Sequence, residues 1–273
     1  MSNGLPTEAR TESAGLISFV IPAHNEQALL GCTIRSIHEA ARALGRPYEV
    51  IVANDDSTDD TARIARAHGA KVYDVKLRHI AKVRNAGSRH AQGELLIFVD
   101  ADTTVSSEAL AEAVRAVEAG AIAGAARAAF DGPLSLPVRV ASGLFFRGIY
   151  LLGMATGCMM FVRRDVFARI GGFDERYYTA EDCQLAKNLR KHGKFALLRS
   201  TVLTSGRKMR AFTPWQLLVT FGRIVLRGDR AMMSKEGLEF WYEAPREAHP
   251  EPGRCEPEVE QARAGVQASP TLP

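Results

Sequence analysis

The run Leu95-Leu96-Ile97-Phe98-Val99-Asp100-Ala101-Asp102 constrains this chain more than any other segment. Five apolar residues in succession suit a parallel strand covered on both faces, because a strand with one wet face would alternate. In open α/β sheets, ligands collect at the carboxyl ends of such strands. The run therefore delivers two carboxylates, one residue apart, to a ligand-binding edge. Two acids so placed are costly unless positive charge sits between them. A hard divalent cation holding a phosphate-bearing substrate meets that need. A strand ending in a solvated Asp-x-Asp turn is the plainer alternative.

The flanking segments repeat one unit. Leu16 to Ile21 reads as a buried strand, and Asn25 as the cap of a helix with Leu30, Ile34, Ile37, Ala41 and Leu44 at helical spacing. Gly45 closes that helix. Tyr48 to Ala53 is a second strand. A helix capped by Ser57 or Asp59 runs to Gly69, Ala70 to Tyr73 is a third strand, and Ile80 to Ala91 is a helix. Such alternation with short links implies βαβ units and a mostly parallel sheet over residues 16–102. Beyond it, the spacing predicts a helix over Ser107–Ala119 and a strand over Ala121–Ala129. An interrupted helix over Leu134–Met154 and a strand over Thr156–Val162 come next. A helix over Asp165–Ile170, another over Glu181–His192, a strand over Phe195–Leu203 and a last helix over Pro214–Arg227 complete the pattern.

With 273 residues and 46% apolar content, the chain can bury an ample core. A net charge of +4, with its basic residues dispersed, argues against nucleic acid as a partner. The four cysteines lack metal spacing and read as reduced thiols. With a polar N-terminus and no apolar stretch of about 20 residues, the expected location is cytoplasmic, free or peripheral on a membrane. Residues 1–14 and 243–273 read as disordered tails.

Three polar clusters close successive strands: Ile21-Pro22-Ala23-His24-Asn25-Glu26, Asn54-Asp55-Asp56-Ser57-Thr58-Asp59, and Asp100-Ala101-Asp102. Each alone could be a cap or a solvated turn. If the strands are neighbours, all three face one crevice. Asp55 could then accept the imide N–H of a uracil-like base, and the acid pair could hold a metal on a diphosphate. His24, His79, His90 and His192 have no ligand spacing.

In order, V-I-P-A-H-N-E, N-D-D-S-T-D-D-T, R-N-A-G-S-R, F-V-D-A-D-T, G-G-F-D-E-R and E-D resemble the family 2 glycosyltransferases of the GT-A fold, over about residues 16–205. The resemblance implies a Rossmann-like α/β sheet flanked by helices, with a C-terminal helical extension. It also implies a nucleotide-sugar donor (a UDP-sugar foremost), a divalent Mg or Mn ion, a hydroxyl acceptor and inversion at the anomeric carbon. Residues 15–206 would form the catalytic domain, with 15–103 as nucleotide-binding half and 104–206 as acceptor half, and 207–242 the extension. Carried over by motif, Pro22, Ala23, Glu26, Asn54, Asp55, Arg84, Asn85 and Asp100 line the nucleotide pocket. Asp102 is the direct metal ligand with Asp100 beside it, and Asp182 is the general base, the plainer role of Asp182 being a helix cap. Arg207 and Lys208 could add donors to the diphosphate.

The family's second motif opens D-D-G-S. Here Asn54 stands for the first Asp and Asp56 for the Gly, which keeps a non-catalytic nucleotide-sugar binding module as an alternative. Phe98 to Thr104 also fits the nucleophile motif of haloacid dehalogenase phosphatases, with Asp100 and Asp102 as its acids. That class carries the motif on its first strand, whereas here it follows three other α/β units. The apolar segment 212–227, flanked by basic residues, either lies in a membrane interface near a lipid-linked acceptor or packs on the domain or a dimer contact.

Overall fold

The computed structural model describes residues 15–132, 138–139, 143, 147–148, 150, 155, 157–207 and 232–233. Both expected tails, most of the expected 134–154 helix, all of the 212–227 helix and Lys208 lie outside the described residues.

The chain runs β1 (Ile17–Ala23), α1 (Leu30–Leu44), β2 (Tyr48–Asp55), α2 (Thr61–Ala67), β3 (Lys71–Val75), α3 (Ile80–Ser88) and β4 (Leu95–Val99). It continues with β5 (Thr103–Thr104), α4 (Ser107–Glu118), β6 (Ala123–Phe130), β7 (Met159–Arg163), α5 (Arg164–Arg169), α6 (Glu181–Leu189) and β8 (Phe195–Thr204). Among the described residues these strands form one sheet in the order β3-β2-β1-β4-β7-β6-β8-β5. β1, β2, β3 and β4 are parallel, as the strand–helix alternation requires. The far half is mixed. β7 runs antiparallel to both β4 and β6, β5 antiparallel to β8, and β6 parallel to β8.

β1 and β4 are buried along their whole length, which matches their unbroken apolar runs. Helix α1 packs Leu30, Ile34, Ile37 and Ala41 on one side of the sheet, and Gly45 ends it with φ 70° and its N–H on the Ala41 carbonyl. Phe98, Phe167 and Phe173 meet on the other side, with Phe98 and Phe173 edge to face at 4.9 Å. Each such buried side chain stabilises by roughly 1.5–3 kcal/mol.

Two expected caps differ. Asn25 does not cap α1, whose N-cap is Leu29. Asn25 instead takes a left-handed φ of 50° and binds the neighbouring loop, its N–H donating to Ser57 Oγ at 2.9 Å and its Oδ1 accepting from Thr58 N at 2.7 Å. The N-cap of α2 is Asp60, yet the Asp59 carboxylate accepts the Thr61 N–H at 3.0 Å and so does the capping. Of the cysteines expected to be reduced, Cys158 and Cys183 are free.

Candidate active site

Strand register decides what the crevice contains. Pro22 and Ala23 lie level with Ala53 and Asn54, and Phe98 with Val20, so all three polar clusters leave the sheet along one edge. The first two loops are sewn together. Besides the Asn25 bonds, Glu26 N donates to Thr61 Oγ1 at 2.7 Å and Gln27 N to Asp59 Oδ2 at 3.2 Å.

Asp55, at the end of β2, is buried, and its Oδ1 accepts the N–H groups of Leu77 (2.7 Å) and Arg78 (3.0 Å). Its other carboxylate oxygen carries no hydrogen bond among the described residues. His24 Nδ1 lies 2.5 Å from the Asp55 carbonyl, and its Nε2 meets Arg78. The two departures from the family motif have local explanations. Asp56 sits at φ 53°, the left-handed region where glycine is the usual residue and Asp is among the tolerated ones. Its carboxylate is turned to Lys76 Nζ at 3.4 Å. Asn54 is paired across the sheet with Asp74 and donates Nδ2–H to its Oδ1 at 2.7 Å. An aspartate there would place two carboxylates face to face.

Asp100 and Asp102 follow β4 and are held by two different arginines. Arg84, on α3, is enclosed. Its Nη2 reaches Asp100 Oδ1 at 2.6 Å and its Nη1 reaches Glu181 Oε1 at 2.5 Å. Burial opposes the Arg84 charge, but Asp100, Glu181 and Asp182 outweigh it and raise its pKa above the ordinary arginine value. Glu181 opens α6, with Asp182 next to it in the first turn. Burial, with Asp182 adding to it, pushes the Glu181 carboxyl up to about 7 against the pull of Arg84. The close ion pair offsets part of the burial cost and does not cancel it.

Asp182 is not the N-cap of α6, a position held by Ala180 at φ 56°. Its Oδ1 accepts the Cys183 N–H at 2.7 Å. Its Oδ2 faces Gly157, where a Cβ would come within 2.8 Å of that oxygen and 3.0 Å of Arg84 Nη2. Glycine at 157 leaves room for both the Asp182 carboxylate and the Arg84 guanidinium. Asn85 ties α3 to the Gly171-Gly172-Phe173 turn. Its Nδ2 donates to the Phe173 carbonyl and its Oδ1 accepts the Phe173 N–H, both at 2.9 Å. A Cβ on Gly172 (φ 78°) would sit 2.6 Å from Asn85 Oδ1.

Asp102 faces Arg207, just past β8. Arg207 Nη2 lies 3.2 Å from Asp102 Oδ2 and 2.6 Å from Glu26 Oε1. Burial opposes the Arg207 charge, and Asp102 and Glu26 more than compensate, raising its pKa. The β5–β8 pairing supports this corner, with Ser205 N donating to the Asp102 carbonyl at 3.1 Å. Both acids of the pair already require a cation. Among the described residues no group of three His, Cys, Asp or Glu forms a closed metal cage. Two carboxylates fit a Mg or Mn ion that takes its remaining ligands from phosphate oxygens and water.

Sequence reasoning gave no role to Glu181, Gly157 or Cys158. Their signal is tertiary. Cys158 is joined to Asp100 only because β7 returns antiparallel to β4, its carbonyl accepting the Asp100 N–H at 3.2 Å. Burial and the surrounding carboxylates hold its thiol well above the ordinary value, which makes it unreactive.

Parallel strands whose ends carry these acids along one edge form a ligand-binding α/β sheet. Residues 18–171 match the Glycosyl transferase family 2 model, and the chain belongs to that family. The Undecaprenyl-phosphate 4-deoxy-4-formamido-L-arabinose transferase of Klebsiella pneumoniae (strain 342) is 36% identical over 113 residues, covering 38% of this chain and 34% of its own length. The chain thus spans about a third of that relative. The mannosyltransferase of Pyrobaculum calidifontis in complex with GDP-Man and Mn2+ has a similar fold at 18% identity, with a TM-score of 0.58 over 94% of this chain and 76% of that one. So has the glucosyl-3-phosphoglycerate synthase of Mycobacterium tuberculosis with Mn2+ and UDP, at 20% identity, with a TM-score of 0.54 over 90% and 88%. Family membership does not favour the phosphatase alternative. Among the described residues no helix is long and apolar enough to cross a membrane.

Proposed function

We propose that this chain transfers a glycosyl group from a UDP-sugar to a hydroxyl acceptor, with inversion and with the help of Mg or Mn. The observation that supports this most is that Asp55 and the Asp100/Asp102 pair end strands at one edge of the sheet, with Asp182 beside Gly157 and its charge acting on Arg84, which holds Asp100. Asp55 holds the base. Two loop amides occupy one of its oxygens, and the other suits a partner with a single imide N–H, as uracil has. Pro22, Ala23 and Asn54 wall the nucleotide, and Asp100 and Asp102 would hold the cation. When bound, that cation supplies positive charge against the departing diphosphate. Arg207 would add donors to the diphosphate, as would Lys208, which lies outside the described residues.

Asp182 takes the acceptor hydroxyl proton as that oxygen bonds to the anomeric carbon. The bond from the sugar to the nucleotide diphosphate breaks, and the diphosphate leaves with the electron pair. A single base and a single displacement give inversion. The Klebsiella relative carries undecaprenyl phosphate in its name, which supports a lipid-borne acceptor at a membrane surface; a lipid phosphate in that role would attack as an anion and need no base.

A panel of nucleotide sugars, each with and without Mn2+, tests the reading. UDP-sugars at about 100 times their dissociation constant should stabilise the protein by about 2.7 kcal/mol. NMR of the transfer product should show the anomeric configuration opposite to the donor's. Stabilisation by GDP-sugars alone, or retained configuration, overturns it.

A further inference from the structure

The guanidinium of Arg207 stands where the chemistry of Asp102 calls for a metal ion. We infer that Arg207 is the resident counter-cation of Asp102, that it competes with the divalent cation for that carboxylate, and that Glu26 is a positioning residue that holds it there. This rests on the metal reading of the proposed function and adds to it an internal competitor.

Three observations carry it. Arg207 is buried, its side chain 3% exposed, and the carboxylates of Glu26 and Asp102 at 12% and 13% are nearly as enclosed. A single nitrogen, Nη2, serves both acids, so Arg207 bridges the loop after β1 to the acid pair after β4. The chain fixes it in place: Ser205 N donates to the Asp102 carbonyl, Gly206 N to Asp131 Oδ1 at 2.6 Å, and Arg207 N to Ser205 Oγ at 3.3 Å. A surface arginine that merely leaned on an acid would have none of these anchors.

A nearly enclosed carboxylate is costly without positive charge beside it, and Arg207 supplies that charge before any donor arrives. A divalent cation must displace it from Asp102 Oδ2. Its apparent affinity is then the intrinsic one reduced by the fraction of time that the carboxylate is free. Once displaced, Arg207 remains tethered to Glu26 beside the site, placed to meet the diphosphate.

The test is titration of the full chain with Mn2+ alone, without nucleotide, reading free Mn2+ by electron paramagnetic resonance. Arg207→Gln should bind Mn2+ about tenfold more tightly than the parent, as expected if Arg207 occupies the acid about nine-tenths of the time. That substitution also makes the site more negative and breaks the Glu26–Arg207 pair. The double variant E26Q/R207Q keeps the local charge constant and removes the pair together, and it should retain the tightening. Arg207→Lys, which keeps a cation, should stay within about threefold of the parent. If the double variant binds Mn2+ no better than the parent, the competition is overturned while the metal reading stands. If neither the parent nor the variants bind Mn2+, both fall together.

Discussion

Asp100 and Asp102 stand one residue apart, yet the arginines that hold them come from different parts of the fold. Arg84 reaches Asp100 from α3 and ties it to Glu181 at the start of α6, with the Asp182 charge acting on it from the same turn. Arg207 reaches Asp102 from beyond β8, and ties it to Glu26 in the first loop. The Arg84 knot joins the acid pair to the candidate base. The Arg207 knot joins it to the nucleotide loops. The difference teaches how one Asp-x-Asp turn is divided between two networks, its first acid held by a buried arginine from α3 and its second by a buried arginine from beyond β8.

Asp182→Asn should break the Arg84 side at its chemical end. Transfer to a hydroxyl acceptor should fall by roughly 10²–10⁴-fold, the usual worth of positioned proton transfer. Mn2+ and donor binding by calorimetry should be kept. Activity within a few-fold of the parent would remove Asp182 as base and would fit a phosphate acceptor, whose oxygen is already anionic. Arg84→Met should destabilise the fold by about 3–5 kcal/mol, because Glu181 is left buried without its counter-charge. Urea unfolding measures this, and a loss below about 1 kcal/mol would mean the knot is not what holds α6 in place.

Glu181→Gln sharpens the comparison through pH. A carboxyl raised from 4.5 to about 7 in the folded state binds its proton more tightly folded than unfolded. Stability is therefore fullest below pH about 4.5 and is lost as pH rises towards about 7. The swing is on the order of 3 kcal/mol. Urea midpoints of the parent should fall across that window, and those of Glu181→Gln should be flatter. The smallest effect is expected away from both knots. Asn54→Asp restores the family's acid but sets it opposite Asp74, and should cost about 1 kcal/mol in thermal unfolding. An unchanged midpoint would mean that Arg66, 3.1 Å from Asp74, absorbs the extra charge.

Much of the donor half was legible in the sequence. Unbroken apolar runs fix β1 and β4 as buried strands, 3–4 spacing fixes the face of α1, and βαβ chirality and short links bring successive strand ends to one edge. Those are local signals, carried by residues near one another in the chain. Direction and pairing in the second half were not legible. An apolar run such as Met159–Val162 reads alike whether it pairs parallel or antiparallel. The reversal of β7, the two-residue strand β5 and the exchange of Asn25 from helix cap to loop clasp are decided by contacts between distant segments.

The same division holds for the site. By itself the sequence determined which acids end strands, Asp55, Asp100 and Asp102, because strand period and turn residues are written locally. Only the tertiary structure decided which charges meet: Arg84 with Asp100 and Glu181, and Arg207 with Glu26 and Asp102, across separations of up to 181 residues. The physical reason is burial. A charge removed from water must find its partner wherever the fold brings one, and neither composition nor spacing records which partner that is.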